Sequence, residues 1–205
     1  MCLIVQKPAG RTLPAAPLES AAEYNPHGAG MVALGPGGHP EVRRSAVTDL
    51  DEIRHWLEVH AAQECILHFR YRTRGEIDLE NTHPLQVTDD IVLFHNGTLS
   101  LEMRTPGRSD TWHLARDYLA PALEHRPDLL GDQAFQRMVL AAIGPLNRVA
   151  LVDLRRGLSV IFNREAGVEV DGIWLSNPRW FNPRSLGWRF TPSAPQTSRT
   201  LRFIG

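Results

Sequence analysis

Five stretches of this 205-residue chain carry side chains that can do chemistry. Cysteine stands at position 2, directly behind the initiator methionine. Removal of Met1 would make Cys2 the amino terminus, giving one residue both a thiol nucleophile and, in its own α-amine, a base. The same start, Cys2-Leu3-Ile4-Val5-Gln6, also reads as an ordinary buried strand. The segment His68-Phe69-Arg70-Tyr71-Arg72-Thr73-Arg74-Gly75 sets three arginines within five residues at the end of a strand candidate. A planar guanidinium pairs with both oxygens of a carboxylate, although a solvated basic loop has the same composition. Ile91 to Phe94 is apolar and runs into His95-Asn96-Gly97. Asn-Gly is a hairpin turn signal. It is also a way to aim a side-chain amide and a backbone N–H at one developing oxyanion. Ser109-Asp110-Thr111 caps a helix and offers a carboxylate to an ammonium group. Tyr24 to Gly30 is dense in Gly, Pro and Asn, which makes either a turn or a place where a ligand approaches backbone closely.

Other chemistries find less support. His55 and His60 are five apart, not the four that set two ligands on one helical face, and neither H-E-x-x-H nor paired C-x-x-C occurs. No metal site is expected, although His68, His83 and His95 could converge. A Walker loop and G-x-G-x-x-G are both absent, so no nucleotide and no cofactor is expected. Net charge is −1, which gives nucleic-acid binding no electrostatic footing. Hydrophobic content of 42% and charged content of 22% are those of a globular protein. No apolar run approaches a membrane span or a signal peptide. Two cysteines make no disulfide framework, so a reducing, cytoplasmic setting is expected.

The elements that must position these residues are legible in outline. Strands are expected at Cys2–Gln6, Met31–Leu34, Glu41–Val47, Cys65–Phe69, Ile91–Phe94, Val149–Leu154, Leu158–Phe162 and Ile173–Ser176. Residues 7–20 read as loop or weak helix, and Gly35 to Gly38 as a turn. Thr98–Leu101 is expected to pair back on Ile91–Phe94 across a tight Asn96-Gly97 turn. Asp49 with Glu52 opens a helix whose inward face is Leu50, Ile53, Leu57 and Ala61. A second helix follows Ser109, with Trp112, Ala115, Leu119 and Ala122 inward and a kink or break at Pro121. A third spans Asp132 to Ile143, with Phe135, Met138, Val139 and Ala142 inward, and ends at Gly144-Pro145. The pattern predicts one layered α+β domain over residues 1–205, with a tail after about 192 loosely held.

The order of these motifs is more telling than any one of them. Met1-Cys2, His27-Gly28-Ala29-Gly30, His68 through Gly75, His83-Pro84, His95-Asn96-Gly97 and Ser109-Asp110-Thr111 together resemble the class II glutamine amidotransferases, which are N-terminal nucleophile hydrolases. By motif the resemblance covers roughly residues 2 to 115. It implies a four-layer αββα sandwich of two antiparallel sheets between helical layers. It implies Cys2 as nucleophile and Asn96 and Gly97 as the oxyanion donors. Arg70 would pair with the α-carboxylate of glutamine, Thr73 and Arg74 would add contacts on that side, and Asp110 would bind the ammonium. His27 and Gly28 would line the pocket near the nucleophile. The implied reaction is attack on the side-chain amide, release of ammonia and hydrolysis of a γ-glutamyl thioester. Such a chain would hand ammonia to a separate synthase or acceptor protein. The family often has Gly where Leu3 and Gln6 stand, Trp at Tyr71, His at Arg74 and Asp-Gly-Trp-Gly at His27 to Gly30. Two alternatives follow: a hydrolase of other γ-glutamyl amides or peptides without ammonia transfer, and a catalytically silent relative used for binding.

Overall fold

The computed structural model describes residues 2–35, 40–179 and 191–193. The turn expected at Gly35 to Gly38 and the tail expected after about 192 lie almost wholly outside them. The strands are β1 (Leu3–Lys7), β2 (Ala29–Leu34), β3 (Glu41–Ser45), β4 (Glu64–Phe69), β5 (Leu85–Gln86) and β6 (Ile91–Asn96). They continue with β7 (Arg148–Asp153), β8 (Leu158–Phe162), β9 (Val168–Val170), β10 (Ile173–Leu175) and β11 (Thr191–Pro192). One antiparallel sheet has the order β11-β9-β10-β1-β4-β2-β3, and the other β5-β6-β7-β8. Helices α1 (Ala15–Tyr24) and α2 (Leu50–Val59) cover the outer face of the larger sheet. Helices α3 (Asp110–His113), α4 (Ala120–Leu123) and α5 (Gln133–Ile143) cover the smaller one. The result is the αββα sandwich.

Period-two alternation builds the layers. In β1, Leu3 and Val5 face α1 and α2, while Ile4 faces the second sheet. In β4, Cys65, Leu67 and Phe69 face the helices and Ile66 faces inward. In β6, Ile91 and Leu93 meet α3 to α5, and Val92 and Phe94 meet Ile4, Val32 and Ile66 between the sheets. Two successive buried faces explain why these strands read as continuous apolar runs.

Several expectations need correction. Thr98–Leu101 forms no strand; β6 pairs with β5 and β7 instead. Asp110 Oδ2 accepts the Leu99 N–H at 2.6 Å and draws that segment toward α3, so a specific buried acceptor outweighs the local Asn-Gly preference. Residues 7–20 are better organised than expected, with α1 running on to Tyr24. Helix α2 buries Ile53 and Trp56 and ends at Val59, leaving Ala61 outside it. Pro121 does not break its helix. Residues Leu114–Leu119 widen into a π-helix just before it, with the Ala120 N–H donated to Ala115 O, and the chain keeps helical dihedrals throughout. A wider turn displaces the carbonyls that the proline ring would otherwise strike. On α5 the buried residues are Val139 and Ile143, while Met138 is 70% exposed and Ala142 also faces out.

Candidate active site

The β1–β4 register, Leu3 opposite Phe69, carries Cys2 to the end of β4. There the Tyr71 N–H donates to Cys2 Sγ at 3.4 Å, and the thiol donates to Tyr71 O at 3.3 Å. Cys2 is half-buried. Burial pushes its thiol up, opposed by the Tyr71 hydrogen bond, the amino-terminal charge and the Arg70 guanidinium. The far end of the smaller sheet meets this point. Asn96, the last residue of β6, donates an amide N–H to Ser176 Oγ at 2.6 Å. Ser176 Oγ also accepts the Ile4 N–H at 2.9 Å, and Asn177 donates to Cys2 O at 3.0 Å. The two residues after β10 thus pin the start of β1 to the end of β6.

Cys2, Arg70, Thr73, Arg74, Gly97 and Asp110 line one small, solvent-open cleft. Arg70 is 3% exposed. Its Nη2 donates to Glu76 O at 2.7 Å and Arg74 O at 3.4 Å, while Nη1 is buried with no hydrogen-bond partner among the described residues. A buried guanidinium N–H without an acceptor is costly, and a ligand oxygen would satisfy it. The loop after β4 is folded onto the start of α3 by Asn81. This side chain donates to Glu76 O, Asp78 Oδ1 and Gly107 O and accepts the Ser109 N–H at 2.8 Å. Arg108 and Asp78 pair at 3.0 Å across the same junction. Ser109 caps α3 by accepting the Trp112 N–H, so Asp110 sits buried in the first helical turn. Its carboxylate accepts the Thr111 N–H at 2.9 Å in addition to the Leu99 N–H.

Hydrogen bonding fixes the floor of the cleft. Asn147 Oδ1 can only accept, and it lies 2.9 Å from His95 Nε2, so His95 carries its proton there. Thr111 Oγ1 then donates to His95 Nδ1 at 2.7 Å. Of the three histidines that the sequence suggested could converge, His68 and His83 meet through Nε2 and Nδ1 at 2.8 Å, whereas His95 reaches them only with its carbonyl oxygen and gives its ring nitrogens to Asn147 and Thr111; among the described residues no cluster could hold a metal.

Three candidate residues are placed differently from expectation. Asn96 has its amide held between the sheets by Ser176 rather than among the lining residues. His27 stands behind the lining: its Nδ1 accepts the Arg72 N–H at 3.0 Å and its ring lies 5.3 Å from that of Tyr71. Gly28 packs on Thr82, whose Oγ1 would lie 2.9 Å from any added Cβ, and its carbonyl accepts the Arg70 N–H. Residues missed as site components are Tyr71, Asn81, His83, Thr111, Ser176 and Asn177. His83-Pro84 belongs to the motif series and Ser176 closes an expected strand, but nothing local marks Asn81.

Cys65 has a different fate from Cys2. It is buried under α2, with its S–H near His60 O and Gln63 O at 3.7 Å, and burial pushes its thiol up to about 11. Cys65→Ala is expected to leave any turnover within about two-fold and to cost on the order of 1 kcal/mol in stability; activity and denaturant titration check both.

Solved structures share this architecture. Glutamine phosphoribosylpyrophosphate amidotransferase from B. subtilis, complexed with ADP and GMP, aligns over 93% of this chain with a TM-score of 0.54 and 15% identity. The fold is shared with this glutamine amidotransferase. A structure described as the allosteric regulatory enzyme of purine biosynthesis shares this amidotransferase fold over 94% of the chain, at a TM-score of 0.54 and 14% identity. The chain spans 44% of the length of each of these two. A glutamine aminotransferase class-II domain protein from Silicibacter pomeroyi aligns over 85% of this chain and 87% of its own, with a TM-score of 0.41 and 14% identity. No protein-family model and no curated protein matches the sequence. Among the described residues, no helix is long and apolar enough to cross a membrane.

Proposed function

We propose that this chain hydrolyses the side-chain amide of glutamine through a thioester on Cys2, releasing glutamate and ammonia. The reading rests on one observation: Cys2, Arg70 and Asp110 line the same cleft with Gly97 beside them, and Arg70 Nη1 is buried there without a partner among the described residues. An amino acid with a carboxylate, an ammonium and a reactive side chain matches that set. With Met1 removed, the Cys2 amine takes the thiol proton and the sulfur attacks the amide carbon. The Gly97 N–H stabilises the tetrahedral oxyanion, and Asn96, which gives one amide hydrogen to Ser176, turns its other amide hydrogen to the same oxygen as the second donor. The ammonium form of the same amine returns the proton to the departing ammonia, and water then cleaves the thioester. Asp110 and Arg70 bind the two charged ends, and Thr73 and Arg74 border the carboxylate side. Ammonia passes to a separate acceptor or synthase.

Intact mass of the protein as isolated, combined with glutamate release from glutamine, tests the reading. Loss of Met1 with glutamate release supports it; a correctly processed protein that releases none removes it. A second reading is favoured by the open mouth of the cleft, where Tyr71, Arg72 and Arg74 are exposed. There the substrate is a γ-glutamyl amide or peptide with a larger leaving group. Comparing kcat/KM for glutamine with that for a panel of γ-glutamyl amides separates the two.

Arg70→Lys should raise KM for glutamine about ten- to a hundred-fold with a smaller change in kcat. An ammonium cannot hold Glu76 O and a carboxylate in one fork, and binding is what the carboxylate clamp supplies. Steady-state kinetics at saturating and limiting glutamine give the split.

A further inference from the structure

His83 is a buried imidazole that borders the cleft and has no part in the mechanism above. Its Nδ1 lies 2.8 Å from His68 Nε2, and His68 Nε2 lies 3.1 Å from the carbonyl oxygen of His95. A carbonyl oxygen can only accept, so His68 carries its proton on Nε2 and shares it between His95 O and His83 Nδ1. The opposite arrangement would turn a His68 lone pair on a carbonyl lone pair. It would also leave a proton on His68 Nδ1, which is buried with no partner among the described residues. An orphaned N–H is the dearer of the two outcomes. With His83 Nδ1 as acceptor, the His83 proton sits on Nε2. That nitrogen has no hydrogen-bond partner among the described residues and is not among the sealed polar atoms of the interior, so it is open to the cleft. Burial holds His83 well below the ordinary imidazole range, and His68, His95, Arg70 and Arg44 push the same way, so the ring is neutral at pH 7.

His83 and Arg70 line the same cleft, and each carries an N–H with nothing to donate to among the described residues, that of His83 Nε2 open and that of Arg70 Nη1 sealed from solvent. Two such donors fit an anion with two oxygens. We infer that His83 is a substrate-binding residue, its Nε2–H joining Arg70 in holding the α-carboxylate of the γ-glutamyl substrate. The inference rests on the proposed function and gives His83 a contact that the motif series leaves unassigned. His68 is then a positioning residue, whose hydrogen bond decides which way the His83 proton points.

The test uses processed Cys2→Ala protein, which binds without turnover, and two probes, L-glutamine and its α-carboxamide. Nitrogen NMR of the ring should show His83 and His68 both protonated on Nε2, and L-glutamine, unlike the α-carboxamide, should shift the His83 Nε2–H resonance. His83→Phe in this background should weaken L-glutamine about ten- to a hundred-fold with little change for the α-carboxamide, and His83→Gln should recover part of the loss. A His83 proton on Nδ1, or L-glutamine bound equally well by a folded His83→Phe protein, overturns the inference and leaves the proposed function standing. Failure of both probes and of γ-glutamyl amides to bind overturns the function and this contact with it. If His83→Phe does not fold, the ring resonances of the unsubstituted protein decide alone.

Discussion

Cys2→Ala is expected to abolish glutamine hydrolysis while the protein stays folded. Cys2 is half-buried at the mouth of the cleft, ahead of β1, and its sulfur exchanges hydrogen bonds with the backbone of Tyr71. Losing those weak bonds should cost about 1 kcal/mol or less. The loss of turnover should be complete, because no second thiol can substitute: Cys65 lies under α2 on the other face of the sheet. A second form with an intact thiol sharpens the result. Protein that retains Met1 has an amide nitrogen at Cys2, which cannot take the thiol proton. It should therefore be as inactive as Cys2→Ala, although it keeps the sulfur. On the proposed mechanism the base is the Cys2 α-amine, whose reference pKa is about 7.7 to 8.0. Activity should then rise with pH through that range as the amine loses its proton. Rates measured on the two terminal forms, checked by intact mass, decide the matter. Turnover by the Met1-bearing form would show that the base lies elsewhere.

The sequence was most readable where chemistry sits next to a strand end or a helix start. Arg70 follows β4, Gly97 follows β6, and Asp110 opens α3. Each is marked by its neighbours, because leaving a regular element demands particular residues. The layers were readable for the same local reason, as in Leu3 and Val5 against Ile4. What could not be read was contact across distance. Asn96 and Ser176 are 80 residues apart, and nothing near either one announces the bond between them. Asn81 organises the site through four partners, yet alone it is one polar residue in a loop. The Thr98–Leu101 hairpin failed similarly, since the acceptor that redirects Leu99 belongs to Asp110. Helical periodicity ran out on α5, where spacings of three and four are both allowed. Taking Phe135, Met138 and Ala142 gives one stripe, and Phe135, Val139 and Ile143 give another. Only the packed sheet selects the second.

Gly97→Ala should lower kcat for glutamine by about 10²- to 10³-fold with a much smaller effect on KM. Gly97 has φ +151°, a conformation that side-chain-bearing residues rarely adopt, and a Cβ there would land on Asn147 Oδ1. Asn147 cannot step aside cheaply. Its Nδ2 donates to Ile143 O at 2.7 Å, and its Oδ1 accepts the His95 Nε2–H at 2.9 Å. The backbone must therefore move, and with it the Gly97 N–H. On the proposed mechanism that N–H is one of the oxyanion donors, and loss of one such donor costs about 10²- to 10³-fold in rate. Residual strain at position 97 should also cost about 1 to 3 kcal/mol in stability. On the same mechanism the substrate's charged ends are held by other residues, so ground-state binding should survive, and the loss should fall on the chemical step. Kinetics on protein shown to be folded by thermal melting separate the two effects. Asn147→Ala in the same background removes the contact with Asn147 but leaves the strained φ and His95 Nε2 3.0 Å from the added Cβ, and it orphans the His95 N–H, so it should restore neither stability nor kcat. Full activity in folded Gly97→Ala protein would mean that the reacting carbonyl oxygen binds somewhere other than beside Gly97, and the catalytic arrangement drawn around Cys2 would have to be redrawn.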